Sequence, residues 1–152
     1  HIAVATTDIN KDDTGKKIDK RARKFLNKSN LDYAHGTGHG VGFFLNVHEG
    51  PQSITKINTV KIREGMILSN EPGYYKTNEY GIRIENLVYV KKVNKKLLFQ
   101  NLTMAPIEKD LINFDLLTVN EKNYLFKYHL EVYSNISKYL SPNEKKWLAS
   151  FI

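Results

Sequence analysis

His35, His39 and His48 stand within fourteen residues of one another and are three of the chain's five histidines. Gly36, Gly38, Gly40, Gly42 and Gly50 lie among them, so the run from Tyr33 to Gly50 joins dense side-chain chemistry to very little bulk. Imidazoles bind metals or move protons, and glycines let a ligand or another backbone come close. The i, i+4 spacing of His35 and His39 raises the question of a helical zinc pair of the HExxH kind. The interior glycines argue against it, since each costs a helix about 1 kcal/mol relative to alanine. An extended strand is predicted instead, running through Phe43, Phe44, Leu45, Asn46 and Val47 and closed by Glu49-Gly50-Pro51, with His35 and His39 on one face. Taken alone, the same residues also fit loop histidines that hold no ligand.

Two acids downstream decide between these readings. Met66-Ile67-Leu68-Ser69-Asn70-Glu71-Pro72-Gly73 reads as an apolar strand ending in a carboxylate and a turn, and residues 80–90, YGIRIENLVYV, as a second strand. Folded back antiparallel, the two strands bring Glu71 and Glu85 face to face. A buried carboxylate pair repels unless it shares a proton, meets a base or binds a cation, and the histidine strand is at hand to join it. A chain without cysteine offers no thiolate, so one imidazole with several carboxylates suits manganese, cobalt or zinc. Arg83, two residues before Glu85, falls on the same strand face; the plain alternative for it is a surface salt bridge.

These residues need elements to hold them. Residues 1–5 read as the end of a helix, and Asp12-Asp13-Thr14-Gly15 as a turn with capping residues. Ile18, Ala22, Phe25 and Leu26 then form an apolar stripe on a basic helix predicted to pack on the sheet and carry no chemistry. Residues 52–60 are expected to be an irregular loop, 91–96 an exposed turn and 97–99 a short closing strand, giving an antiparallel sheet. Thr118 with Glu121, and Ser141-Pro142 with Glu144, open two terminal helices. Leu125, Tyr128, Val132, Ile136 and Tyr139 line the first, and Trp147, Leu148 and Phe151 the second, as core or subunit interface. His129 is expected on the helix surface or at an interface.

At 152 residues there is room for one domain. The formal charge of +7 is spread over local clusters at 16–24, 91–96 and 145–146, without the interleaved aromatics of a nucleic-acid motif. They are read as solvated faces, and neither a nucleic-acid nor a membrane partner is expected. No run reaches the roughly 18 apolar residues of a membrane span, and a cytoplasmic location is expected.

The segments HGTGHGVG, NVHEGP, SNEPGYY and GIRIENLVYV, in this order and at these spacings, resemble aminopeptidase P, the Xaa-Pro aminopeptidase branch of the pita-bread metallopeptidases. The likeness runs through nearly the whole chain, from His1-Ile2-Ala3-Val4-Ala5 to Leu102-Thr103-Met104-Ala105-Pro106-Ile107. It implies an α+β architecture: the C-terminal half of a pita-bread fold, an antiparallel sheet flanked by helices, with residues 1–107 in the catalytic domain and 108–152 a helical extension packed on it. The implied activity is release of the N-terminal residue from peptides with proline in second position, by a hydroxide activated between two divalent ions, manganese before zinc or cobalt. On the resemblance, His39 is the histidine metal ligand, Glu71 a terminal ligand that also relays a proton, and Glu85 the carboxylate bridging both metals. His35 and His48 match the family's substrate-contacting histidines, and Arg83 the arginine that orients the metal carboxylates. A homodimer is implied as well.

One departure qualifies the likeness. The family's site takes two further aspartates from preceding strands, and Asp8, Asp12, Asp13, Asp19 and Asp32 sit in no such motif. The chain is therefore expected to be the C-terminal part of a catalytic domain, with an upstream part of the same polypeptide supplying two Asp ligands. The alternatives are a prolidase-like dipeptidase and a non-catalytic pita-bread binding module, the second disfavoured because His39, Glu71 and Glu85 are all intact.

Overall fold

A computed structural model describes residues 1–44 and 46–152; Leu45, which the predicted histidine strand includes, lies outside the described residues. The described residues divide into two compact units, His1–Thr103 and Met104–Ile152.

The first unit opens with α1 (Ile2–Ala5) and α2 (Gly15–Asn27), the latter entered through an extended Thr14 at the N-cap. Ile18 and Ala22 of α2 are buried, but Phe25 is 54% exposed, so the apolar stripe serves the core only over the first two turns. Asp19 and Arg23 are buried beside it. Strands β1 (Gly38–His39) and β2 (Ser53–Ile54) pair antiparallel, and a bridge from Gly40 to Leu68 ties β1 to β3 (Ile67–Asn70). Next come β4 (Gly73–Lys76), β5 (Tyr80–Arg83), β6 (Asn86–Val93) and β7 (Lys96–Asn101), with β3, β6 and β7 forming a sheet in that order and β4 pairing β5. All these pairings are antiparallel, as predicted. Val4, Ile9, Ile18, Ala22, Ile54, Ile62, Leu68, Val88, Val90 and Phe99 close the core beneath the sheet.

Four expectations about extent are corrected. The histidine run is a two-residue strand rather than a long one, because its glycines lend the chain no side chains with which to pack a pleated surface. The strand predicted over 80–90 is broken at Ile84-Glu85, which separates β5 from β6. Lys91 to Val93 belong to β6, and the turn shrinks to Asn94 and Lys95 at φ 48° and 68°, the left-handed pair that a two-residue hairpin requires. Residues 53–54 of the expected loop form β2.

In the second unit, α3 (Val119–Ile136) and α4 (Pro142–Ala149) each begin with the predicted capping box, from Thr118 to Glu121 and from Ser141 to Glu144. Leu125, Tyr128, Val132 and Leu148 are buried, whereas Tyr139 and Trp147 are exposed. His129 is also buried, at 4% exposure, correcting its expected surface position. It follows Leu125 by four and precedes Val132 by three, which puts it on the inward face, and its Nε2 accepts the Ile107 N–H at 3.1 Å. Among the described residues no helix is long and apolar enough to cross a membrane.

Candidate metal centre

One register governs the whole hairpin. Asn70 lies opposite Asn86 and Gly73 opposite Arg83, so Glu71 and Glu85 oppose one another between the two ladders. Pro72 has no N–H to give the ladder, and the Glu71 N–H turns to the Thr37 carbonyl, 2.8 Å away on the histidine segment. The lapse in pairing therefore occurs where the two acids meet.

His39 completes the group. Its Nδ1 lies 3.0 Å from the Gly40 carbonyl, which only accepts, so in the neutral ring Nδ1 carries the proton and Nε2 keeps its lone pair. That Nε2 is 3.5 Å from Glu71 Oε1. His39, Glu71 and Glu85 each offer a ligand atom, and the three atoms lie within 4.8 Å of one another. An imidazole with a free lone pair and two opposed carboxylates make a donor set that fits a divalent cation. The Ser69 hydroxyl accepts the His39 N–H at 2.8 Å and donates to Glu71 Oε1 at 2.8 Å. Arg83 Nη1 is 3.7 Å from Glu71 Oε2.

The other two histidines stand outside this trio. His48 is exposed, its ring centroid 4.0 Å from that of His39. His35 donates from Nδ1 to the Gly36 carbonyl at 2.6 Å, and its Nε2 is 2.8 Å from the Tyr75 hydroxyl. The same hydroxyl accepts from Arg83 Nε at 2.9 Å, so Tyr75 bridges His35 to Arg83. That bond is the main reason the Arg83 pKa is raised. Tyr75 gains its place from its cross-strand partner Gly81, where a Cβ would stand 2.8 Å from the tyrosine ring. Sequence reasoning missed Ser69 and Tyr75; spacing alone carries no signal for either, since Tyr75 owes its place to Gly81 on the facing strand.

The helix α2, expected to carry no chemistry, fixes the histidine segment. Arg23 donates to Asp19 Oδ2 at 2.8 Å, to Asp32 Oδ1 at 2.6 Å, to the Tyr33 carbonyl at 2.7 Å and to the His35 carbonyl at 2.6 Å. Its guanidinium sits 3.8 Å from the centroid of the Tyr33 ring. Asp19 Oδ1 accepts from the Thr37 hydroxyl at 2.7 Å, and that hydroxyl also bonds the Tyr33 hydroxyl. Burial pushes the Arg23 pKa down, but the bonds to Asp19 and Asp32 outweigh it and raise it. Burial likewise works to raise Asp32, yet Lys56, Arg23 and the Tyr33 N–H bring it down to about 2. The i, i+4 spacing of Asp19 and Arg23, beside the stripe of Ile18 and Ala22, was the readable sign of a buried pair.

The sequence matches the family described as metallopeptidase family M24 over residues 2–92, and the C-terminal region of peptidase M24 over residues 95–150. A probable Xaa-Pro aminopeptidase P of Coprinopsis cinerea is 46% identical over 97% of this chain and 26% of its own length. An uncharacterized peptidase of Schizosaccharomyces pombe is 46% identical over 98% of this chain and 27% of its own. Among solved structures, X-prolyl aminopeptidase from Caenorhabditis elegans, described as a cytosolic enzyme with a di-nuclear active site, superposes with a TM-score of 0.91 at 37% identity, covering 99% of this chain and 26% of that one. The prolidase from Pyrococcus furiosus superposes with a TM-score of 0.57 at 30% identity, over 66% of this chain and 28% of its own. The α+β, pita-bread expectation holds. The chain spans about a quarter of the length of the curated relatives it matches.

Proposed function

The chain belongs to metallopeptidase family M24, and from that premise we propose that it is the C-terminal part of the catalytic domain of a metal-dependent Xaa-Pro aminopeptidase. It takes peptides with proline in second position and releases the residue before it. The observation that carries this reading is the convergence of His39, Glu71 and Glu85 within 4.8 Å. Residues 1–107 are its catalytic part and 108–152 a helical extension of the same domain.

His39, Glu71 and Glu85 hold the cations, and two aspartates from an upstream part of the polypeptide complete a pair of sites. When bound, the divalent ions, manganese foremost, supply Lewis acidity and a hydroxide at neutral pH. The rest falls to the chain's own side chains. Glu71 takes up and passes on the nucleophile's proton, with Arg83 beside its Oε2 to hold the carboxylate plane. His48 lies against the trio and donates to the peptide as charge develops on the scissile carbonyl, while His35, its ring nitrogens engaged by Gly36 and Tyr75, contacts the substrate around the scissile bond. A cytoplasmic homodimer, like the cytosolic relative from Caenorhabditis elegans in its location, completes the proposal.

Hydrolysis of Arg-Pro-Pro by the full-length protein, with manganese and after chelation, tests it. Arginine release that depends on metal is expected. No cleavage in metal-replete buffer would overturn the enzyme in favour of a binding module, and cleavage confined to Xaa-Pro dipeptides would favour a prolidase-like dipeptidase.

A further inference from the structure

Strand β1 and its flanks run antiparallel to β3 in one register. Glu71 N–H donates to the Thr37 carbonyl and Val41 N–H to the Ile67 carbonyl, with Gly40 bridged to Leu68 between them. That register sets His39 opposite Ser69, on a rung where a regular ladder gives the amide a backbone carbonyl. The His39 N–H takes the Ser69 side-chain oxygen instead, at 2.8 Å. The substitution depends on a close approach of the two strands: a Cβ on Gly38 would lie 1.9 Å from the Ser69 carbonyl oxygen.

A hydroxyl has one proton and two lone pairs. Here a lone pair receives the backbone of His39, and the proton goes to Oε1 of Glu71, the oxygen that faces His39 Nε2. Ser69 is wholly buried, so no water stands ready to replace either bond. We propose that Ser69 is a positioning residue of the metal centre, whose single hydroxyl fixes the backbone of His39 and the carboxylate of Glu71 relative to one another before any cation arrives. The inference rests on His39 and Glu71 serving as metal ligands. It assigns Ser69 no contact with metal or peptide; its effect passes entirely through the His39 backbone and the Glu71 carboxylate that it ties together.

The test is manganese binding by the full-length protein, followed by calorimetry after chelation and metal removal, at a temperature where circular dichroism shows each variant folded. Ser69→Ala is expected to bind manganese about 10–100-fold more weakly than the parent, the usual effect of losing a group that orients a metal ligand. Ser69→Thr and Ser69→Val form a matched pair of nearly equal bulk, so their comparison isolates the hydroxyl even where alanine loosens the strand. Threonine is expected to bind at least tenfold more tightly than valine. Alanine within threefold of the parent, or valine within threefold of threonine, overturns the proposal while leaving the metal centre standing. A parent protein that binds no manganese would remove the metal centre and this inference with it.

Discussion

Glu71 and Glu85 oppose each other in the two-rung gap in the ladder of the 67–93 hairpin, between Asn70–Asn86 and Gly73–Arg83. The pair is not buried as expected, since Glu85 is exposed and Arg83 stands beside Glu71, so their repulsion is partly screened; what remains of it is relieved when a cation joins them. Glu85→Gln should therefore have opposite effects with and without metal. In chelated buffer the variant should melt no lower than the parent. With manganese at about a hundredfold excess over its dissociation constant, the parent should gain about 2.7 kcal/mol and the variant little of it. Thermal melts in both buffers make the comparison, and a variant that melts lower when metal-free would show that the acids stabilise one another by another route.

His48 touches the trio only through its ring, 4.0 Å from that of His39. His39 keeps its bonds to Gly40 and Ser69 without it. Replacing His48 by alanine should accordingly lower turnover about a hundredfold, within the range seen when a proton-transfer or oxyanion group is lost, with metal content unchanged. Metal analysis beside steady-state kinetics decides; loss of metal would reassign His48 as a ligand.

Tyr75→Phe removes one oxygen and leaves two partners wanting, His35 Nε2 and Arg83 Nε. Both bonds are exposed, so water can take up the freed partners and the fold should lose little; what is lost is the hold on His35 and Arg83, and kcat/KM should fall while the melting temperature stays near the parent's. Manganese affinity should hold, because none of the three trio atoms bonds the phenol. Equal loss of metal and of turnover would place Tyr75 under the metal rather than under His35.

Local chemistry made part of this legible in the sequence. Thr118 with Glu121, and Ser141 with Glu144, announce helix starts because the groups they satisfy lie within one turn. Glu71 and Glu85 were readable as opposed because strand periodicity and one intervening turn fix a register. The Tyr75 bridge was not, since it joins His35 to Arg83 across 40 and 8 residues of chain and depends on a glycine in a third place. The length of the histidine strand was overestimated for a related reason: excluding a helix at Gly36, Gly38 and Gly40 does not supply the side-chain packing that extends a strand.

Arg23 holds Asp32, Tyr33 and His35 from below, while its partner Asp19 is 2% exposed. Arg23→Met strands Asp19 as a buried, unpaired charge and should cost about 3–5 kcal/mol of stability. Adding Asp19→Asn should return a substantial part of it, which a double-mutant cycle by urea denaturation would measure. Arg23→Lys should rescue poorly, since one ammonium cannot reach acceptors spread around a planar fork. Strict additivity of the Met and Asn changes would dissolve the pair.

His129 gives the second unit a pH dependence of definite sign. Burial is the chief cause that lowers its pKa from the ordinary 6.5, and Lys109 works the same way. Protonation at Nε2 would also break the bond from the Ile107 N–H. A folded pKa below the unfolded one means that the unfolded chain binds the proton first as pH falls. The stability contributed by neutral His129 is thus complete above about pH 6.5 and declines below it until the folded value is passed, at about 1.4 kcal/mol for each unit between the two. His129→Gln retains an acceptor for Ile107 and cannot titrate. Its melting temperature should fall less than the parent's between pH 7.5 and 5, and parallel curves for the two proteins would show that His129 takes up its proton equally well folded and unfolded.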